Sequence, residues 1–406
     1  MNTWPENPDA PASNPADAPA GDTPTAVVVG AGIGGLTAAI ALVRAGVEVR
    51  LLERAEELHP VGAGLTLQPN AIRALGSLDL ADPVIEAGRQ LQIAEVRTAA
   101  DRRLSGLDRR TATKIEDRVG APAIGIHRAT LQRLLVDALG PADLQLGREV
   151  VGVLAEPKQS AVVCADGETL TADIVIGADG LHSRLRALLI DDSPPRYSGY
   201  YCWRGVGPLG DFAPDWAGEF WAPGRRFGGC GIDGDRLYWF AVANGPADGT
   251  DGGGPDGAHA AALAHVADFP QRVRSAVAAT PTDAVFRTDI ADRDPGRRWQ
   301  IGSVALLGDA AHPMTPNLGQ GACQAIEDAA VLGVAVWRMG GTRAALRQYE
   351  RQRRARADAC VTGARRLGEV AQWSSPSAVA LRNLAVRAMP SAMLRRQLVD
   401  AWTLPR

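Results

Sequence analysis

Apolar positions along the chain fall into three regimes. Met1 to Pro24 is rich in Pro, Ala, Asp and Asn and has no periodic apolar positions, so it reads as a disordered extension. It also lacks the basic start and apolar run of a secretory signal. From Thr25 the run TAVVVG is β-branched and uniformly apolar, the pattern of a strand buried on both faces. GGLTAAIALVRAG follows, with Leu36, Ile40 and Val43 on one helical face and Gly46 placed as a C-terminal cap. VEVRLLE then reads as a second strand, completing a strand–helix–strand unit.

Further on, AVVCADGETLTADIVIGADG alternates on both sides of Asp166-Gly167, which predicts a hairpin. Between Tyr197 and Asn244 the runs become short and aromatic (YYCWRGV, EFWA, RLYWFAVAN), broken by Gly and Pro, and predict an antiparallel sheet. Gly245 to Gly257 reads as a Gly/Asp-rich loop. SVALLGD at Ser303 predicts another two-face strand, and Gly321 to Met339 a helix. The last stretch reads as Arg-rich amphipathic helices with apolar stripes at Leu381, Leu384 and Val386; these would suit the subunit contact of a homodimer, and monomer and homodimer both stay open.

Composition narrows the function classes. A formal charge of −3 in 406 residues lacks the basic footprint of a nucleic-acid-binding protein. No run of apolar residues is long enough for a membrane span. Five scattered cysteines without a CxxC pair argue against a disulfide framework or a zinc site, and fit a reducing, cytoplasmic location. Lys114 and Lys158 are the only lysines among 43 basic residues, so any single arginine carries less functional weight than usual.

The first chemical motif is Gly30-Ala-Gly32-Ile33-Gly34-Gly35, a GxGxxG between strand and helix. Gly30 permits the tight turn, Gly32 lets a pyrophosphate approach the backbone, and Gly35 lets the helix pack close to the sheet. The anion then rests on free N–H groups at the positive end of the helix dipole. Glu53, ending the second strand, is placed to accept hydrogen bonds from an adenosine ribose, with Arg54 beside it. The residues alone leave FAD and NAD both open.

Two distant segments decide between them: Asp173-Ile-Val-Ile-Gly-Ala-Asp179-Gly180, running on to Arg186, and Gly308-Asp309-Ala-Ala-His312-Pro313-Met-Thr-Pro316-Asn-Leu-Gly319-Gln320-Gly321, followed by AIEDA. With these in order, the chain resembles the class A FAD-dependent monooxygenases, the aromatic hydroxylases, from about Ala26 to Arg366. The resemblance implies that Asp309 accepts hydrogen bonds from the ribityl chain of FAD. It implies that the loop from Pro316 to Gly321 offers backbone N–H groups to the flavin, with Pro316, Gly319, Gln320 and Gly321 all beside the cofactor. Arg128 matches an arginine on the flavin side of the cofactor, and Gly62 to Asn70 match a loop near it. Asp179 and Arg186 match a segment that meets FAD and the nicotinamide. His312 and Pro313 would lie near the isoalloxazine, His312 as a packing residue. No second GxGxxG occurs, as expected where NADH or NADPH docks transiently.

The fold so implied is α/β: a discontinuous Rossmann-like FAD domain (25–190 and 286–345), a substrate domain on an antiparallel sheet (191–285) and a helical C-terminal segment (346–406), after the tail 1–24. The implied reaction is hydroxylation of an electron-rich aromatic or heteroaromatic small molecule, using NAD(P)H and O2 through a flavin C4a-hydroperoxide. Epoxidation by the same chemistry, or a reductase or oxidase without oxygen transfer, are the alternatives. The absence of a WxWxIP segment disfavours halogenation. Arg204, in a YxxWRG context that resembles the urate-hydroxylase-like branch, would orient the substrate. Trp221, Phe227, Phe240 and Pro313 are further candidates for the pocket. Gly229 and Gly231, two apart on one strand, would remove side chains from one face and suit a polycyclic substrate.

Overall fold

The computed structural model describes residues 23–58, 63–249 and 254–403. The tail, apart from Thr23 and Pro24, and His59 to Gly62 lie outside the described residues. Thr25–Val29 and Glu48–Leu52 pair in parallel around the helix Ile33–Arg44, as the first unit requires. Ile174–Gly177 lies on the other side of Thr25–Val29, and Val304–Leu306 beyond it, both parallel. Asp143–Gln145 and the short antiparallel Gln300–Ile301 finish a six-stranded sheet. The Rossmann-like sheet is therefore assembled from segments far apart in the chain. Its central strands are buried throughout, since the helix Ile33–Arg44 and the antiparallel strands Ser160–Cys164 and Thr169–Ala172 both pack against them.

The helix Gly321–Met339 packs along Ile33–Arg44, and small residues make this possible. A Cβ on Gly34 would stand 3.2 Å from the Ala325 Cβ. The expected hairpin forms at Ser160–Cys164 and Thr169–Ala172, with Gly167 at φ 90° in its turn.

A second, seven-stranded sheet has the order Phe286–Asp292, Arg196–Pro208, Arg236–Asn244, Arg225–Ile232, Trp216–Ala222, Ile93–Thr98, Arg103–Leu107. It is not wholly antiparallel: Trp216–Ala222 runs parallel to Ile93–Thr98. Its strands are also drawn from beyond 191–285, at 93–107 and 286–292. Alternation divides the side chains between two faces. Trp203, Phe220, Phe227 and Trp239 form an apolar core under the helices Gly254–His265 and Gln271–Ala278. The first of those helices begins inside the stretch expected to be a loop. The opposite face, carrying Tyr200, Cys202 and Arg204, looks across a cavity towards the Rossmann-like sheet.

The C-terminal helices are Arg343–Ala371, Pro376–Ala388 and Ser391–Trp402. Leu381 and Leu384 do not form a buried stripe; they are 61% and 66% exposed, while Val386 packs beside Trp221. Arg353 is fully buried and binds Glu327 and Asp328, the acidic pair of AIEDA, with Asp328 Oδ1 at 2.7 Å from Nε. A charge buried so deeply is tolerable only with such partners. Among the described residues no helix is long and apolar enough to cross a membrane, and no cluster of metal-ligating residues occurs.

Candidate active site

One cavity of about 390 Å³ runs between the two sheets, and both the glycine loop and the aromatic sheet line it. At its near end, Gly30 has φ 102°, and a Cβ there would strike the Ala178 carbonyl at 2.5 Å. Gly35 is tighter still, at 1.8 Å from the Gly30 oxygen, so this glycine closes the helix onto the strand. Gly32 differs. Nothing lies within 4 Å of its missing side chain, and with Ile33 and Gly34 it faces the cavity at the helix start. The division of labour expected for the motif is therefore visible in the packing.

Glu53 binds that loop directly. Its Oε2 accepts from Ala31 N–H at 2.8 Å and its Oε1 from Ala55 N–H at 3.0 Å, so the carboxylate braces the turn. Arg54 is exposed and does not line the cavity.

At the centre, Asp309 lies in a one-turn 3-10 helix, Gly308–Ala310, just past the strand that ends at Leu306. Its carboxylate opens onto the cavity and accepts no hydrogen bond from any described residue. The depth of the site pushes its carboxyl above the ordinary range, with His312 and Arg128 acting against the rise. An acceptor of this kind is free to take hydroxyl donors from a ligand in the cavity. Arg128 lines the cavity at the start of its own helix, and Ala63 to Thr66 line it alongside. Pro316, Gly319 and Gly321 face the cavity where the helix Gly321–Met339 begins, and no protein atom lies within 4 Å of a Cβ placed on Gly321. The N–H groups of the first helical turn from Gly321 and the helix dipole are thus turned on the cavity, whereas the Gly319 N–H donates to the Pro316 carbonyl at 2.9 Å. An acceptor for hydroxyls, bare backbone donors at two helix starts and a cation between them fit a flavin dinucleotide.

Several expected residues do other work. The Gln320 side chain turns away to Asn70 and Gln68 at 3.0 and 2.9 Å. The Asp179 carboxylate accepts from Ser183 Oγ and from the backbone N–H groups of Arg184 and Leu185, at 2.6, 2.7 and 3.1 Å, capping a short helix. Its neighbours Ala178 and Gly180 line the cavity instead. Arg186 is buried and donates to the carbonyls of Ala310 and Ala311 at 3.2 and 3.0 Å, under the Asp309 turn. His312 is a packing residue, as expected. Its Nε2 lies 2.6 Å from Asp328 Oδ2, and Asp328 also accepts from Gly308 N–H. Burial opposes ionisation of Asp328, but His312 and Arg353 outweigh it and hold its carboxyl below the usual range.

The far wall is the open face of the seven-stranded sheet. Arg204 and Phe240 line the cavity as expected, joined by Tyr238, whose hydroxyl accepts from Arg204 Nη1 at 2.6 Å. The Tyr238 oxygen foremost, against the cost of burial, holds Arg204 firmly protonated. Four expectations fail here. Pro313 is buried behind Met314, which takes the cavity position. Phe227 stacks on Trp239 in the core on the opposite face. Trp221 packs among Leu104, Ala371 and Arg382. Gly229 and Gly231 point away from the cavity, and their missing side chains admit the Tyr238 and Pro214 carbonyls, which would lie 2.3 and 2.0 Å from a Cβ. They serve backbone approach, not pocket room. The glycine on the cavity face is Gly228, beneath Phe240.

Sequence reasoning also passed over Glu219, Arg226, Asn317 and Tyr200, all on the cavity wall. Arg226, 2% exposed, donates to Gln372, Glu219 and Asn317 at 2.8, 3.2 and 2.7 Å. Asn317 in turn donates to Tyr200 Oη at 2.8 Å. Strand alternation from Arg204 and Phe240 was the available clue to Glu219, Arg226 and Tyr200, but it required the cross-strand register; Asn317 lies in the 3-10 turn Pro316–Leu318, where alternation does not apply.

Comparison with known proteins agrees with this geometry. Residues 22–199 and 252–364 match the family described as FAD binding domain. The chain is 40% identical over 379 residues to the aurachin C monooxygenase/isomerase of Stigmatella aurantiaca, covering 92% of this chain and 97% of that protein. It is 32% identical over 376 residues to a 2-heptyl-3-hydroxy-4(1H)-quinolone synthase of Pseudomonas aeruginosa, covering 92% and 96%. The crystal structure of Klebsiella pneumoniae HpxO with FAD and uric acid matches it with a TM-score of 0.85 at 29% identity, over 93% of this chain and 96% of that one.

Proposed function

The chain belongs to the FAD-binding-domain family of flavoprotein monooxygenases, and from that premise we propose that it hydroxylates an electron-rich, fused-ring heteroaromatic substrate with NAD(P)H and O2. A ring C–H, O2, NAD(P)H and a proton give C–OH, water and NAD(P)+. Bound FAD supplies the chemistry, accepting hydride and activating O2, while the protein supplies orientation and a dry site.

Each group in the cavity has a part in that division. The Gly32 turn and its helix start would hold the pyrophosphate, Asp309 the ribityl hydroxyls, and the helix start at Gly321 the pyrimidine edge of the flavin. That helix dipole favours negative charge and would stabilise it at the pyrimidine edge of the bound flavin. Arg204 would hold an oxygen of the substrate, with Tyr238 fixing its rotamer. One observation carries the reading: the dinucleotide loops and the polar wall around Arg204 line a single continuous cavity. The quinolone for which one relative is named and the uric acid bound in the Klebsiella pneumoniae structure support a fused nitrogen-containing ring.

The experiment is turnover in labelled dioxygen with a panel of fused heteroaromatics, reading NAD(P)H consumption and product mass. One labelled oxygen in the product, with substrate-stimulated NAD(P)H oxidation, is the expected result. Peroxide matching all NAD(P)H consumed, and no labelled product from any substrate, would leave a reductase or oxidase instead.

A further inference from the structure

Four residues on adjacent strands form one cross-strand row on the cavity side of the sheet. Arg204 pairs with Phe240, Phe240 with Gly228, and Gly228 with Glu219. Three strand spacings separate the ends, about 14 Å between backbones before side chains lean inward. Arg204, Phe240 and Glu219 all line the cavity. The row therefore carries a cation at one end and a carboxylate at the other. Between them a phenyl ring lies over a residue with no side chain. A Cβ on Gly228 would sit 2.4 Å from Phe240 Cζ and 2.9 Å from Glu219 Cγ.

Both ends are held in place. Tyr238 Oη accepts from Arg204 at 2.6 Å. Glu219 Oε2 accepts from Trp221 Nε1 at 2.6 Å and from Arg226 Nη1 at 3.2 Å. No described residue donates to Oε1, so the second oxygen is left as a fixed acceptor on the cavity wall. A carboxylate oxygen in that position selects for a donor and against a ring atom bearing only a lone pair.

We propose that Glu219 Oε1 accepts a hydrogen bond from a ring N–H of the substrate while Arg204 donates to a carbonyl oxygen at the opposite end of the same flat ring system. The substrate class is thereby a fused bicyclic with N–H and C=O on opposite sides of one ring, the arrangement of a 4-quinolone, lying over Phe240. The assignment rests on the reading of this cavity as the substrate chamber of an aromatic hydroxylase.

E219Q separates recognition from architecture. Trp221 and Arg226 both donate, so the glutamine amide oxygen stays with them and its NH2 faces the cavity, a donor where an acceptor stood. Three probes are titrated into the oxidised holoenzyme and followed by the change in flavin absorbance, which requires no turnover: a 4-quinolone, its N-methyl derivative, and the chromone with oxygen in place of N–H. The native protein is expected to bind the quinolone about tenfold or more tighter than the other two. E219Q is expected to lose about tenfold on the quinolone and to gain on the chromone, with FAD content unchanged.

Should E219Q not fold, E219D keeps the charge opposite Arg226 but withdraws the oxygen, and it must also lose the quinolone preference. Equal losses on all three probes, an unchanged preference, or no binding of any probe by the native holoenzyme would overturn the assignment. Failure of the underlying reading is seen separately, as NAD(P)H oxidation that no aromatic compound stimulates.

Discussion

Trp402, at the end of the last helix, donates its indole N–H to the side-chain oxygen of Gln68. Gln68 Nε2 donates to the Leu318 carbonyl at 2.8 Å, and its oxygen also accepts from Gln320 Nε2 at 2.9 Å. The C-terminal helix thereby braces the 316–321 turn that faces the cavity, from a part of the chain that reads as a surface element. Loss of one such hydrogen bond costs about 1 kcal/mol, or roughly fivefold in an equilibrium. W402F, which keeps the ring but not the donor, should weaken FAD binding by about that factor. Titration of apoprotein with FAD measures it; unchanged affinity would reduce the contact to surface packing.

The glycines of the first motif should separate by phenotype. G35A meets the Gly30 oxygen and should prevent folding of the first unit. In G32A the new methyl meets no protein atom, at φ −70°, so the fold should survive and FAD affinity fall. Thermal unfolding of both apoproteins beside FAD titration makes the comparison. Equal destabilisation of the two would contradict it.

On the aromatic sheet, G229L and G231L drive a side chain into the Tyr238 and Pro214 carbonyls. They should destabilise the protein by about 3 kcal/mol or more, instead of reshaping substrate choice. G228A presses on Phe240 and Glu219 and should raise KM while sparing FAD content. A soluble, stable G229L with altered substrate preference would reverse the assignment of faces.

His265 should govern part of the acid stability. Burial first, and Arg225 second, push it down to about 4 from an ordinary 6.5, and its ring packs against Trp203 and Phe269 at 5.1 and 6.2 Å. Between pH 6.5 and 4 the unfolded chain binds this proton and the folded one does not, so stability falls as pH falls through that window. The effect reaches about 3 kcal/mol at its limit. H265F should flatten this part of the stability–pH curve in urea unfolding at pH 7 and pH 4.5. An unchanged slope would show that His265 is solvated.

Much of the protein was legible one residue at a time. The first strand–helix–strand unit, the hairpin at Gly167, the helix from Gly321 and the cavity position of Gly32 follow from local rules, while those of Asp309 and Gly321 were implied by the family resemblance. Periodicity, turn residues and helix starts act between neighbours in the chain. The two-set alternation of Tyr200, Cys202 and Arg204 against Tyr201 and Trp203 was also readable, because a strand places successive side chains on opposite faces.

Which face met the cavity was not readable, and there the expectations for Phe227, Gly229 and Gly231 failed; Trp221 shares the cavity-side face with Glu219 and Arg226 but is covered by Leu104, Ala371 and Arg382. A strand carries no mark of its inner side; that is set by what packs against the sheet, here two helices from 254–278 on one face and a Rossmann-like sheet on the other. The same holds for Asp179, which matches the motif but spends its oxygens on three local donors. Glu219 and Arg204 are ordinary residues in separate strands. Only cross-strand register, fixed by backbone hydrogen bonds between distant segments, makes them the two ends of one row.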